Sequence, residues 1–199
     1  MSLASGTSCI RTSALTPKLA AAAAGAAAFV CSLYLAPNPI GVCGALLAFL
    51  MAAIAYRDSK DFIIPDELSA AAFVLAVITA WIGADEAVMS GIAACLLRAG
   101  VLGLAFLALR LGYYRLRGRH GLGLGDVKLA GVAGAWLDWM TIPVAIEIAV
   151  LAALTAVLVR QLMTRQRMKA TSRLPFGLFL APSIWVGWVV QTALPWPGP

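Results

Sequence analysis

The sequence predicts an all-α bundle of about seven membrane-crossing helices, and three observations carry that prediction. Hydrophobic residues make up 62% of the 199 and charged residues 12%, whereas a soluble domain carries about 25% charge and about 45–50% apolar residues. Apolar runs recur close to the roughly 20 residues that cross a bilayer. Of the fifteen Lys and Arg, every one but Arg98 falls on a single side of the resulting map, which is the pattern of cytoplasmic loops. The same composition excludes a disordered chain, a collagen repeat and a coiled coil.

The first run covers residues 19–36, preceded by Arg11 and Lys18. It exceeds the apolar region of about 7–15 residues in a cleaved signal, so it reads as a retained helix. Six spans remain, with unchanged orientation, if it is removed. Pro37-Asn38-Pro39 makes a turn, since proline cannot continue a helix interior, and residues 40–56 form the second span. A polar stretch, 57–67, precedes the third span at 68–83, which Gly83, Asp85 and Glu86 close. The fourth runs from 87 to about 114 and contains Arg98. The basic, glycine-rich segment 115–125 leads to a short fifth span at 127–140. Residues 142–162 and 176–194 are the sixth and seventh, separated by the basic loop 163–175.

Orientation follows from charge. The loops opposite the cations hold only Asp85, Glu86 and Asp138, so residues 1–18 are a cytoplasmic segment, 19–194 one membrane-embedded domain, and 195–199 a non-cytoplasmic tail. The net charge of +6 is assigned to that bias and not to nucleic-acid binding. Cys9, Cys31, Cys43 and Cys95 form no C-x-x-C pair and His120, a solvated loop residue, is the only histidine, so neither a zinc ribbon nor a His-rich metal site is expected.

Two aspartates fall at comparable depth on the cytoplasmic side. Asp58 follows span two and Asp126 precedes span five, each beside a break in the helices. Two carboxylates brought close at the edge of a low-dielectric slab cannot both ionise cheaply, so one keeps a proton near neutral pH. Such a pair splits a peptide bond with water in aspartic proteases. Gly123 and Gly125 would let backbone or substrate approach Asp126 and would permit positive φ. Pro65 stiffens the chain before span three, with Asp66 and Glu67 at the favourable end of its dipole. The plain alternative for Asp61, Asp66 and Glu67 is helix capping or solvation, and Asp126 itself could be a cap. Lys128 either biases Asp126 toward ionisation or anchors the helix at headgroups. Arg98 and Glu147, the charges inside spans, face the bundle or a wet cavity; they pair with each other, or Arg98 snorkels.

Gly123-Leu124-Gly125-Asp126 resembles the G-x-G-D signature of membrane aspartyl proteases, and its extension through Val127-Lys128-Leu129 resembles the type 4 prepilin leader peptidases. Their second motif, an aspartate ahead of Ile-Pro-Asp/Asn, is matched by Asp58 and Ile64-Pro65-Asp66. A third is matched by Leu174-Pro175-Phe176-Gly177, and all three occur in the family's order. The resemblance implies a catalytic pair at Asp58 and Asp126, supported by Gly123, Gly125, Lys128, Pro65 and Asp66. It implies no metal or cofactor, a place in the bacterial inner membrane, and removal of a basic leader from prepilins or pseudopilins at the cytoplasmic face. Asp58, Asp61, Asp66 and Glu67 together could receive such a leader while the substrate's apolar helix stays in lipid.

Two departures stand out. Larger members also methylate the new amino terminus through an insertion often carrying paired C-x-x-C motifs, which this chain lacks, so peptidase activity alone is expected. Leu178 stands where many relatives continue Pro-Phe-Gly with proline. Two other classes compete: a proton-coupled transporter using Asp126, Glu147 and Arg98, for which an inverted repeat should be visible and is not, and a non-catalytic component of pilus assembly.

Overall fold

The computed structural model describes residues 15–36, 38–84, 87–118, 121–164 and 175–194. The expectations for Arg11, Asp85, Glu86, Arg119, His120, Leu174, most of the basic loop and the carboxyl-terminal tail lie outside the described residues. Within the described residues seven helices follow one another: α1 (Leu15–Leu35), α2 (Pro39–Asp61), α3 (Asp66–Gly83), α4 (Val88–Arg117), α5 (Leu124–Trp136), α6 (Thr141–Thr164) and α7 (Gly177–Ala193). The chain is thus an all-α membrane bundle, each helix lying within a few residues of the expected span.

Local chemistry sets the helix ends that matter for function. Asn38 caps α2, its side-chain oxygen accepting from the N–H of Ile40 at 3.1 Å and of Gly41 at 3.3 Å, with Pro39 at the first helical position. The far end of α2 is closed by Phe62, in the left-handed region at φ 54°, which returns its N–H to the Asp58 carbonyl at 3.1 Å. Gly118 closes α4 in the same way at φ 64°.

Among the described residues four helices, α2, α3, α4 and α6, are long and apolar enough to cross a membrane. The expected fifth span differs. With 13 residues α5 is about 20 Å long at 1.5 Å per residue, short of the roughly 30 Å of hydrocarbon. It lies inside the protein, packed on α3, α4 and α7. Small residues permit this. Gly134 sits so close to α4 that a Cβ there would collide with the Arg98 carbonyl, the close backbone approach that small residues allow between membrane helices. The core also gathers Leu47, Met51 and Ile54 of α2 with Leu180 and Ile184 of α7, all buried.

Buried polar groups tie this core at defined points, so their partners are met within the protein. Trp136 Nε1 donates to the Ala72 carbonyl at 2.9 Å, joining α5 to α3. Near the opposite end of α7 from Gly177, the Gln191 side chain accepts from Asp138 N–H and Thr141 Oγ1 at 3.0 Å each and donates to the Trp136 carbonyl at 2.9 Å. Arg98 corrects an expectation: its partner is Asp138, at 3.6 Å, with Nε donating to the Gly134 carbonyl at 3.4 Å. Glu147 is exposed on α6 and does not pair with it. The reason is the close α4–α5 approach, which brings the start of the α5–α6 turn within reach of Arg98.

Candidate active site

Three breaks in the helices meet at one place. The last turn of α2 carries Asp58, the first turn of α5 carries Asp126, and the first residues of α7 lie against Asp58. Asp58 and Asp126, although far apart in sequence, line the same pocket of about 300 Å³, together with Phe62, Ile63, Ile64, Asp66, Gly123, Leu124, Gly125 and Lys128. Both acids are buried, at 5% and 9% exposure. Uncompensated burial of a carboxylate is costly, so the groups around each decide its state.

Asp58 accepts the N–H of Leu178 at 2.8 Å. Such a donor is free because the first N–H groups of a helix lack intrahelical partners. Among the described residues Asp126 accepts the N–H of Gly123, at 3.2 Å, reaching back from the first turn to the residue that opens α5. The capping reading and the pocket reading of Asp126 therefore both hold. Burial pushes the Asp126 carboxyl up to about 6; the Gly123 N–H opposes this and the charge of Asp58 adds to it.

The glycines act through space and not through positive φ. Gly123 has φ −70°, and among the described residues Gly118 is the positive-φ glycine, which corrects that part of the expectation. A Cβ at Gly125 would lie 2.9 Å from Ile64 Cβ, and one at Gly177 would lie 2.7 Å from Ile64 Cδ1 and 2.9 Å from Asp58 Oδ2. Ile64, buried at 7% exposure, is thus the wedge on which the start of α5 and the start of α7 converge. In the sequence Ile64 belongs to Ile-Pro-Asp, and the signal that marks it further is the lone apolar run Phe62–Ile64 in an otherwise polar stretch.

Lys128 is engaged by a carboxylate other than Asp126. Its ammonium pairs with Asp66 at 2.5 Å, across the pocket from α5 to the start of α3, and the groups acting on Asp126 are those named above. Asp61 pairs with Arg57 at 3.8 Å, so the acidic cluster proposed to receive a basic leader is partly matched by the chain's own cations. Pro65 precedes α3 in extended conformation, ψ 135°. Arg110, counted only as a cytoplasmic cation, donates to the Leu122 carbonyl at 2.8 Å and fastens the glycine-rich approach to Asp126 onto α4.

Residues 45–158, more than half of the chain, match the type IV leader peptidase family. A prepilin leader peptidase/N-methyltransferase of Burkholderia pseudomallei is 37% identical over 166 residues, 81% of this chain and 48% of the relative. One from Dickeya chrysanthemi is 33% identical over 162 residues, covering 79% and 54%. Leader peptidase HopD of Escherichia coli is 42% identical over 84 residues, 42% of this chain and 54% of its own length. The chain spans about half the length of the curated relatives it matches. No solved structure matches.

Proposed function

The chain belongs to the type IV leader peptidase family, and on that premise we propose that it is a membrane aspartic endopeptidase. Its substrates are prepilin-like or pseudopilin proteins, whose basic leader it removes at the cytoplasmic face of the bacterial inner membrane. The observation that supports this most is the convergence of Asp58 and Asp126 on one pocket. With it go the cations at the cytoplasmic ends of the helices, such as Arg57 and Lys60 of α2 and Arg115 and Arg117 of α4. The substrate's apolar helix stays in the bilayer beside the bundle.

The different surroundings of the two acids divide their roles. Asp58, hydrogen-bonded by a helix N-terminus, is the carboxylate that takes a proton from water. Asp126, which burial makes the readier of the two to bind a proton, enters the cycle protonated and gives that proton to the scissile carbonyl oxygen as the hydroxyl adds to the carbon. When the resulting diol collapses, Asp58 passes its proton to the leaving nitrogen and a diol hydroxyl returns one to Asp126, so both acids end as they began. Peptidase activity alone is proposed: the N-methyltransferase in the relatives' names is not carried over.

Co-expression with a protein bearing a basic leader, a glycine and a long apolar helix tests the proposal through the gel shift on leader removal. Asp58→Asn and Asp126→Asn should each abolish the shift while the protein still accumulates in membranes. Residual processing by both variants would refute the pair.

A further inference from the structure

Leu178 differs from the residue that the sequence resemblance leads one to expect, and the difference falls on a catalytic-site contact. The N–H of Leu178 donates to Asp58 at 2.8 Å, the N–H of Gly177 faces the same carboxylate, and Gly177 lacks the Cβ that would strike it. A proline at 178 has no N–H to give. We infer that Leu178 is a positioning residue of this chain, its backbone N–H fixing the Asp58 carboxylate and extending peptide cleavage to lower pH than a proline there would allow. This deepens the proposed function and rests on it, because it concerns the acid that must be ionised for water to be activated.

The physical basis is a charge-assisted hydrogen bond, among the stronger ones a carboxylate can accept. It favours the ionised form over the protonated one. The other charged groups facing Asp58 are Asp126 and Lys128 from α5 and Asp66 from α3. No residue of α7 is ionisable, and on α2 itself Arg57 and Asp61 pair with each other. Lys128 is taken by Asp66. The Leu178 N–H, with that of Gly177 beside it, is therefore how α7 acts on Asp58, and it does so through the backbone, indifferent to the side chain at residue 178.

The test compares Leu178→Pro with Leu178→Ala. Proline in the first helical turn removes the donor without breaking an intrahelical bond, whereas alanine keeps the donor and removes the side chain. Leader removal measured against pH should show the acid limb of Leu178→Pro moved up by about one pH unit, with the acid limb of Leu178→Ala left at the parent's pH whatever that variant's overall rate. Identical limbs for Leu178→Pro and the parent overturn the inference, and so do equal shifts in both variants, which would point to side-chain packing. Should the proline variant not accumulate, an ester in place of the residue-178 amide removes the same donor. If the parent cuts no leader at all, the proposed function fails separately. Infrared titration of the Asp58 carboxyl, read as a difference against Asp58→Asn, then decides the hydrogen bond by the same criterion.

Discussion

Asp126→Asn should make the protein more stable at neutral and alkaline pH while removing its activity. In the folded protein Asp126 titrates at about 6 against an ordinary 3.8. A carboxyl whose folded value is raised binds its proton more readily folded than unfolded, so stability falls as pH rises between those two values. The penalty is absent below 3.8 and complete above about 6. At 1.36 kcal/mol per pH unit the gap corresponds to about 3 kcal/mol, a ceiling, because neighbours relax. Asparagine keeps an oxygen to accept the Gly123 N–H and carries no charge to bury, so it should recover much of that amount. Unfolding of detergent-solubilised protein, followed at pH 8 and at pH 4, checks it: the variant should gain stability at pH 8 and little at pH 4. An equal gain at both values, or none at pH 8, would refute the reasoning that burial holds Asp126 up.

Gly177→Ala should lower leader removal by about 10- to 100-fold with the bundle still assembled. The added Cβ must push Asp58 or Ile64 aside from contacts of 2.9 and 2.7 Å, and a displacement near 1 Å at a reacting group costs on that scale. Gel-shift rates alongside size-exclusion profiles separate the two effects. Arg98→Met should destabilise the protein by about 1–3 kcal/mol, since it strips Asp138 and the Gly134 carbonyl of their shared partner. Glu147→Gln should leave both stability and leader removal close to the parent. Detergent unfolding and the processing assay read this contrast directly, and it also separates the peptidase from a transporter that would need Glu147.

The acids were legible because their signals are short-range. A carboxylate just outside an apolar run, followed by a proline or preceded by spaced glycines, marks a helix end at the membrane surface whatever the tertiary structure does. The pairing of Arg98 was not legible. It depends on how deeply Gly134 lets α5 sink against α4, and a glycine inside an apolar run announces close approach without saying to what. Lys128 escaped for a related reason. Its position two residues beyond Asp126 suggested an effect on that acid, but helical geometry turns adjacent residues to different faces, and Asp66 of α3 lies on the face it reaches. The positive φ anticipated for Gly123 and Gly125 failed because helix α5 starts at Leu124, so Gly125 is already helical and its missing Cβ serves Ile64 instead.

The shortness of α5 is what makes an acid pair tolerable in so apolar a chain. A carboxylate in the middle of a full-length span would face either lipid or the packed bundle, and a charge at mid-bilayer costs at least about 2.5–3.5 kcal/mol, whereas Asp58 occupies only the last turn of α2. A helix of 13 residues that is tucked among α3, α4 and α7 ends its apolar run inside the protein and exposes its first turn to a pocket. There the N–H groups of Gly123 and Leu178 stand in for lost water. The close seating of α5 on α4 is permitted by small residues, above all Gly134 against Arg98. Widening that contact with a larger residue would therefore loosen the acid pair from some distance, although residue 134 belongs to the far end of α5 from Asp126.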